Sequence, residues 1–347
     1  MARGAGKRAL AQAAFAGELA GSARVHGEVV KLDRGFPLVR TDDGRELRTK
    51  HATALVKGEN VRAVIGDEVI VEMPESIDKA IIAEILPRRT SLVRKDPTER
   101  ALPQVLAANF DLVAIAQPIA EVNLRRLERE LVLAHETGAK VAVILTKADL
   151  AETREAAESA AARVRDLAGA EDEVLVISAE EPKSIERVRA LIPAGTTAVL
   201  IGKSGVGKSS LVNLLSGYEV QRTADVREGD GKGRHTTVSR DLIELPGGGR
   251  VVDMPGVRGL GLWDAEAGIE AAFADIEELA ANCRFRDCRH EAEPSCAVRA
   301  AVESGALAKS RFESYQALRQ ETREVKQRRV EAERIRSRTG HPRRRKG

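Results

Sequence analysis

Short runs in which apolar and polar residues alternate dominate the chain from Ala23 to about residue 90. Turn residues separate these runs, for example Asp42-Asp43-Gly44. Alternation with a period of two predicts strands that bury one face. About five such strands in so short a stretch are typical of a small OB-fold β-barrel, a fold that commonly binds nucleic acid. A β-module with only a packing role is the alternative.

A different pattern begins near Asn109, where continuous apolar runs alternate with stretches of helical periodicity. The runs that we predict to be strands are 110–116, 140–145, 174–177 and 199–201. Strands alternating with helices predict a parallel sheet that is covered by helices on both faces. Beyond Trp263 the chain becomes polar and helical, and a long charged helix is predicted from about Ser310 to Arg336.

Composition narrows the class of protein. The chain has 347 residues, which is too long for one compact core, and its 43% hydrophobic and 31% charged residues describe a globular protein. Aromatic residues make up only 3%, so there is little material for base-stacking platforms. We find no apolar run of membrane-spanning length and no signal-peptide core at the start. We therefore expect a cytoplasmic protein that does not bind a membrane.

The strand predicted at 199–201 leads directly into a glycine-rich loop that matches G-x-x-x-x-G-K-[ST]. In such loops backbone amides surround phosphate oxygens, and the following helix N-terminus adds positive potential. Lys208 would reach the β- and γ-phosphates and act in catalysis, and the Ser209 hydroxyl would bind Mg²⁺. The residues expected to contact the nucleotide here are Gly202, Lys203, Ser204, Gly205, Val206, Gly207, Lys208, Ser209 and Ser210.

Two further motifs point to guanine as the base. Thr146-Lys147-Ala148-Asp149 follows a predicted strand and resembles the Asn-Lys-x-Asp motif of GTPases, with Thr in place of Asn. Asp149 would accept hydrogen bonds from the guanine N1–H and exocyclic amine, and the Lys147 stem would pack on the base. Ser178-Ala179 follows the next strand and resembles the Ser-Ala motif that contacts the guanine oxygen.

The chain downstream of the phosphate-binding loop predicts the rest of the magnesium site. Asp253 ends a strand and begins a D-x-x-G motif that closes at Gly256. We expect Asp253 to hold Mg²⁺ through water and the Gly256 N–H to contact the γ-phosphate. Thr236 or Thr237, in a glycine-rich stretch, would complete the Mg²⁺ shell, and we slightly favour Thr236.

The residue after the D-x-x-G motif bears on the rate of hydrolysis. Many GTPases place a Gln there to orient the attacking water, whereas this chain has Val257. The intrinsic rate should therefore be low. His235 is the nearest candidate for the missing catalytic role, and a solvent-exposed His without a role is the alternative.

The order of the motifs is unusual. The base-reading motifs at 146–149 and 178–179 precede the phosphate-binding loop, whereas ordinary GTPases have them last. Because the termini of a compact domain often lie close together, a circular permutation can preserve the three-dimensional site. We therefore predict a circularly permuted GTPase domain of the α/β P-loop class.

All three cysteines of the chain lie in one short segment, Cys283-x₄-Cys288-x-His290-x₅-Cys296. Three thiolates and one imidazole are the ligand set of a closed, tetrahedral, structural Zn²⁺ site. We expect one Zn²⁺ to stabilise a helical module that is too small to fold alone. Three buried thiols beside an unrelated His are the alternative.

Basic residues concentrate in the last part of the chain. The side chains concerned are Arg323, Lys326, Arg328, Arg329, Arg334, Arg336, Arg338, Arg343, Arg344, Arg345 and Lys346. This charge suits a phosphate backbone, and we favour RNA as the partner. A solvated charged helix is the usual alternative.

Together these motifs resemble one family, the ribosome small-subunit-dependent GTPase A family (RsgA, also called YjeQ). The resemblance covers nearly the whole chain and includes Gly233–Thr237, Asp253–Gly256, the Cys283–Cys296 spacing and Arg311–Tyr315. It implies a GTPase that binds the small ribosomal subunit and its rRNA late in maturation and hydrolyses GTP to GDP when the subunit stimulates it. Thr146 and Glu180 depart from the family's pattern.

The predicted organisation has five parts, and we expect a monomer. They are a flexible basic arm at 1–22, an OB-fold at 23–90, a circularly permuted GTPase domain at 96–262, a zinc-binding helical domain at 263–336 and a basic tail at 337–347. Two other functions compete with this interpretation. One is a P-loop ATPase or kinase, and the other is an RNA-binding structural module with a vestigial nucleotide site.

Overall fold

The computed structural model describes residues 23–33, 36–59, 61–73, 79–96, 102–219, 240–254 and 261–339. These residues form two compact units. The first contains 23–89 and 240–242, and the second contains the other described residues from 90 onward. The predicted arm at 1–22, the glycine-rich stretch around His235 and the residues beyond 339 lie outside the described residues.

The first unit is a closed five-stranded barrel. Its strands are β1 (Ala23–Asp33), β2 (Phe36–Thr41), β3 (Glu46–His51), β4 (Glu68–Met73) and β5 (Ala80–Ile85). The long strand β1 pairs antiparallel with both β2 and β4, and β3 pairs parallel with β5, which closes the cylinder. The OB-like barrel that the alternating pattern predicts is therefore confirmed.

Alternation explains the barrel's interior. Val29, Val39, Val71 and Ile82 are completely buried and belong to one apolar cluster. At Gly27 a side chain is impossible because a Cβ atom would lie 2.7 Å from the Arg40 carbonyl oxygen. Glycine there allows β1 to continue from one partner strand to the other.

The second unit contains two sheets. A two-stranded antiparallel ribbon pairs β6 (Ser91–Lys95) with β7 (Pro103–Ala108), two strands that the hydrophobic pattern does not predict. The remaining strands of the chain are β8 (Leu112–Pro118), β9 (Lys140–Thr146), β10 (Glu173–Val176), β11 (Thr197–Ile201), β12 (Arg240–Glu244) and β13 (Arg250–Asp253). Residues 240–242 of β12 belong to the first unit, where Arg240 and Asp241 pair antiparallel with β1. Strands β10, β9, β8, β11 and β13 lie side by side in that order, and all are parallel.

Helices cover this parallel sheet. They are α1 (Leu124–His135), α2 (Arg154–Arg165), α3 (Pro182–Ala190) and α4 (Lys208–Ser216). Strands β8 and β11 are almost fully buried, as expected for parallel strands that have helices on both faces. The alternation of strands and helices predicted from the sequence is confirmed.

Four helices follow the sheet, namely α5 (Glu266–Ala272), α6 (Ala274–Ala280), α7 (Ala297–Ser304) and α8 (Lys309–Thr339). The first of them, α5, packs against α1 at very short range. A Cβ atom on Gly268 would lie 2.1 Å from the Val132 carbonyl oxygen, so only glycine allows this approach. The Gly268 N–H also donates a hydrogen bond to Glu136 Oε2 at 2.6 Å. None of the helices in the described part of the chain is both long and apolar enough to cross a membrane.

Arg311 of α8 joins three elements in the interior. Its guanidinium donates to Glu128 of α1 at 3.1 Å, to both carboxylate oxygens of Asp275 at 2.8 and 3.0 Å, and to the Ala272 carbonyl at 2.8 Å. It also lies 4.4 Å from the centre of the Phe273 ring. A buried guanidinium that donates four hydrogen bonds orients α8 against α1 and α6, because each lost partner would leave a charge unpaired.

We predict that Arg311→Gln lowers the free energy of unfolding of the second unit by about 3–5 kcal/mol, since it leaves Glu128 buried without its partner. Arg299→Gln is the matched control, because Arg299 forms only an exposed pair with Glu303 at 3.6 Å. That change should remain below about 1 kcal/mol. Urea unfolding followed by circular dichroism measures both, and equal effects would contradict the structural role given to Arg311.

Candidate functional site

The motifs predicted from sequence meet at one edge of the parallel sheet. Register places Thr146 at the end of β9 opposite Pro118, and Asp253 at the end of β13 opposite Leu200. Ser178 follows β10, which pairs with β9 up to Val176 and Leu145. Ligands of open α/β sheets bind at the carboxyl ends of the strands, and these residues share that edge.

The glycine-rich loop has the backbone geometry that its sequence predicts. Gly202 has a φ of +143°, and a Cβ atom there would lie 2.5 Å from the Ala116 carbonyl oxygen. Gly207 has a φ of +96° and forms the N-cap of α4. Residues with side chains rarely adopt either conformation, so the glycines permit the loop to curl around an anion at the helix N-terminus.

Lys208 is buried at the base of this loop. Its ammonium group donates hydrogen bonds to the Gly202 carbonyl at 2.8 Å and the Lys203 carbonyl at 2.9 Å. Burial lowers the pKa of Lys208, and the nearby carboxylates of Asp253 and Glu130 partly offset that shift. A desolvated cation at the N-terminus of α4 supplies the positive potential that a phosphate chain requires.

Two predicted magnesium ligands lie in the described part of the chain. Asp253 is buried at the end of β13, and Ser209 lies in the first turn of α4. Oxygen ligands of this kind suit Mg²⁺. Gly256, Thr236, Thr237 and the candidate catalytic His235 lie outside the described residues, as does Val257. Their roles remain predictions.

Thr146 stands where the GTPase motif has Asn, and it is hydrogen-bonded to the phosphate-binding loop. Its hydroxyl donates to the Val206 carbonyl of the phosphate-binding loop at 2.6 Å and lies 3.3 Å from the Gln117 carbonyl. The neighbouring Lys147, with a φ of +59°, donates from Nζ to the Gly205 carbonyl at 2.9 Å. The departure from the usual motif therefore keeps a hydrogen bond between the base-reading motif and the loop.

Asp149 is oriented by the second base-reading motif. Its Oδ1 atom accepts a hydrogen bond from the Ser178 hydroxyl at 2.8 Å, while the Ser178 amide donates to Ser184 Oγ at 3.2 Å. Ala179 is exposed at the same edge. The sheet therefore brings together the two motifs that are 29 residues apart in sequence.

A buried polar cluster lies beneath the phosphate-binding loop, and the sequence does not predict it. Glu130 of α1 is completely buried and accepts hydrogen bonds from Arg126 Nε at 2.8 Å and from the Gln117 side-chain amide. Burial raises the pKa of Glu130, and the charges of Arg126 and Lys208 oppose that rise. No sequence signal distinguishes this acid from the other charged residues of α1.

The cysteine segment forms a compact cluster. The ligand atoms of Cys283, Cys288, His290 and Cys296 all lie within 4.8 Å of one another. His290 Nδ1 is 3.6 Å from Cys283 Sγ and 3.3 Å from Cys296 Sγ, and these two sulfurs are 3.9 Å apart. Around a tetrahedral Zn²⁺ the sulfur–sulfur and sulfur–nitrogen separations are about 3.8 and 3.5 Å. The four residues therefore fit one zinc ion.

Backbone amides support the thiolates of this cluster. Burial raises the pKa of Cys283, but hydrogen bonds from the Val298 and Ala297 amides outweigh it and lower the pKa. Cys296 forms the N-cap of α7, where the helix dipole favours negative charge. Amide donors at a helix N-terminus are the environment in which a thiolate ligand is stabilised.

Comparison with known proteins agrees with this geometry. A family model described as RsgA GTPase matches residues 85–263. The chain belongs to the RsgA GTPase family. A second model, described as a 50S ribosome-binding GTPase, matches residues 197–330.

Relatives of this RsgA-family chain extend over most of its length. It is 45% identical to the small ribosomal subunit biogenesis GTPase RsgA of Streptomyces coelicolor over 86% of this chain and 81% of that protein. The protein of the same name from Xanthomonas axonopodis pv. citri is 45% identical over 75% of this chain and 69% of its own length.

Solved structures support the fold. The crystal structure of YjeQ from Thermotoga maritima matches with a TM-score of 0.61 and 26% identity, covering 84% of this chain and 96% of that one. YloQ, described as a circularly permuted GTPase, matches with a TM-score of 0.59 and 24% identity over 88% of this chain and 96% of its own. The predicted permuted fold is confirmed.

We predict that Thr146→Val weakens GDP binding by the RsgA-family protein about tenfold, because the buried Val206 carbonyl loses its donor. Thr146→Ser keeps the hydroxyl and should bind within about twofold of the wild type. Fluorescence titration with a labelled GDP measures both affinities. Equal affinities for the Val and Ser variants would show that the hydrogen bond does not brace the loop.

We predict that the purified protein contains one Zn²⁺ per chain and that His290→Gln loses it on dialysis, since only three ligands remain. His26→Gln is the control, because His26 lies in the barrel beside Asp42 and not in the cluster. Elemental analysis measures the zinc content. Full zinc in the His290 variant would contradict the proposed ligand set.

Proposed function

We propose that the protein hydrolyses GTP to GDP in the cytoplasm while bound to the small ribosomal subunit, which stimulates the reaction late in subunit maturation. The observation that carries the proposal is that Asp149 and the phosphate-binding loop lie at the same edge of the parallel sheet. The relatives, which are named small ribosomal subunit biogenesis GTPases, support the choice of subunit. Contacts with rRNA and a monomeric state remain part of the proposal.

Guanine selectivity follows from the chemistry of Asp149. A carboxylate accepts hydrogen bonds from both N–H donors on the guanine edge, and adenine offers no such pair there. The Ser178 hydroxyl holds Asp149 Oδ1, so the carboxylate is oriented before the base binds. Hydrogen bonds from Thr146 and Lys147 to the loop keep the base and phosphate subsites at a fixed separation.

Catalysis by this site depends on charge and positioning. Mg²⁺, when it is bound with GTP, neutralises charge on the β- and γ-phosphates, and Ser209, Asp253 and Thr236 or Thr237 would hold it. Lys208 would exchange its two carbonyl partners for phosphate oxygens, because an anion is the better partner for a buried ammonium. His235 is proposed to orient the attacking water, and Val257 cannot do so.

Two observations weigh against the competing functions. Asp149, oriented by Ser178, argues against an ATPase or kinase that would have to read adenine. Intact Lys208 and Asp253 at the loop argue against a structural module with a vestigial nucleotide site. The match to the model described as a 50S ribosome-binding GTPase covers a shorter part of the chain than the small-subunit relatives do.

The decisive experiment measures GTP turnover alone, with purified small subunits and with purified large subunits. We expect slow turnover alone and a rise of about 100-fold or more with small subunits only. Asp149→Asn should abolish GTP binding and allow binding of xanthosine triphosphate, whose C2 carbonyl accepts from the Asn amide. Stimulation by large subunits instead, or no stimulation, would overturn the assigned partner.

A further inference from the structure

The described chain resumes after Asp253 at Gly261 and Leu262, and both residues are held by backbone hydrogen bonds. The Lys95 N–H of β6 donates to the Gly261 carbonyl at 3.0 Å. The Leu262 N–H donates to Glu321 Oε1 of α8 at 3.0 Å, and the Leu262 side chain is completely buried. The segment that leaves the magnesium side of the nucleotide site therefore ends at a fixed point.

Glu321 also joins α8 to α1 through a bidentate ion pair. Arg129 donates to it from both terminal nitrogens, at 2.9 Å to Oε1 and 2.7 Å to Oε2. Burial raises the pKa of Glu321, but the hydrogen bonds from Arg129 and Leu262 outweigh it, and the pKa is lowered. A bidentate pair with a third donor defines the position of the carboxylate in all directions.

The helix that supplies Arg129 also reaches the nucleotide site. Glu130, the residue after Arg129, is completely buried and pairs with Arg126, and it acts electrostatically on Lys208. Helix α8 is therefore connected to α1, which reaches the nucleotide site, and to Leu262, which follows the strand that ends at Asp253.

We propose that Glu321 is a positioning residue for GTP hydrolysis, which joins α8, α1 and the chain that follows Asp253 into one unit. In this proposal the subunit acts on α8, and Glu321 carries that action to α1 through Arg129 and to Leu262. The inference rests on the proposed function, because it concerns how the subunit stimulates turnover. It assigns no contact with substrate to Glu321.

A second ion pair between the same two helices provides the matched control. Arg125 and Glu313 join α1 to α8 at 3.2 Å, but both side chains are largely exposed, at 71% and 47%. Neither of these residues holds Leu262. Removing their pair tests helix attachment without disturbing the chain that follows Asp253.

The test compares Glu321→Gln with Glu313→Gln in full-length protein, with and without small subunits. We expect Glu321→Gln to lower subunit-stimulated kcat about fivefold or more. GDP affinity, intrinsic turnover and the KM for GTP should remain within about twofold of the wild type, because no nucleotide contact is removed. Glu313→Gln should leave all of these values within about twofold.

A reversed pair, R129E/E321R, separates positioning from attachment. It restores an ion pair between α1 and α8, but residue 321 no longer offers an acceptor to the Leu262 N–H. We expect its melting temperature to recover relative to Glu321→Gln, while stimulated turnover stays low and the Leu262 amide exchanges faster with solvent.

Recovery of stimulated turnover together with the melting temperature would overturn the inference, and so would unchanged stimulated turnover in Glu321→Gln. Both outcomes leave the proposed function intact, since the wild-type protein is still stimulated. A wild-type protein that small subunits do not stimulate would overturn the proposed function, and this inference with it.

Discussion

Buried charge on α1 is the constraint on which the second unit depends. A charge removed from water must have a partner, and α1 carries such charges on two faces. Glu130 faces the phosphate-binding loop and pairs with Arg126, whereas Glu128 and Arg129 face the C-terminal helices. Since the partners come from different elements, α1 aligns the nucleotide site and the helices around the cysteine cluster within one packed body.

This arrangement gives the circular permutation a physical consequence. In the permuted order the chain leaves the strand that ends at Asp253, begins α5 at Glu266 and reaches the cysteine cluster at Cys283. The connection is short, and it is fixed at Gly261 and Leu262. The permutation therefore places the phosphate-contacting end of the GTPase domain next to the C-terminal module, while the parallel sheet keeps the base-reading motifs at the same edge.

Sequence reasoning succeeded where chemistry permits few residue types. Gly202 cannot carry a side chain, and four ligands at metal spacing have few other uses. It failed where charged helical residues find partners far away in sequence, because Glu130 and Glu321 have the same local pattern as solvated charges. The strand β6 was not predicted either, since its basic residues resemble those of an exposed loop. The hydrogen bond from Thr146 to the Val206 carbonyl could not be predicted from the sequence, because it depends on how the two segments approach each other in the fold.

Thermodynamic linkage makes the coupling through α1 reciprocal. If the placement of α8 on the subunit changes the free energy of GTP binding, then bound GTP must change the affinity for the subunit by the same factor. Hydrolysis replaces GTP by GDP and removes the γ-phosphate that we expect Lys208 to contact. A GTPase whose C-terminal helices are attached to the phosphate side of the site can therefore couple one round of hydrolysis to a change in its affinity for the ribosomal subunit. A maturation factor requires such a change in affinity in order to be released.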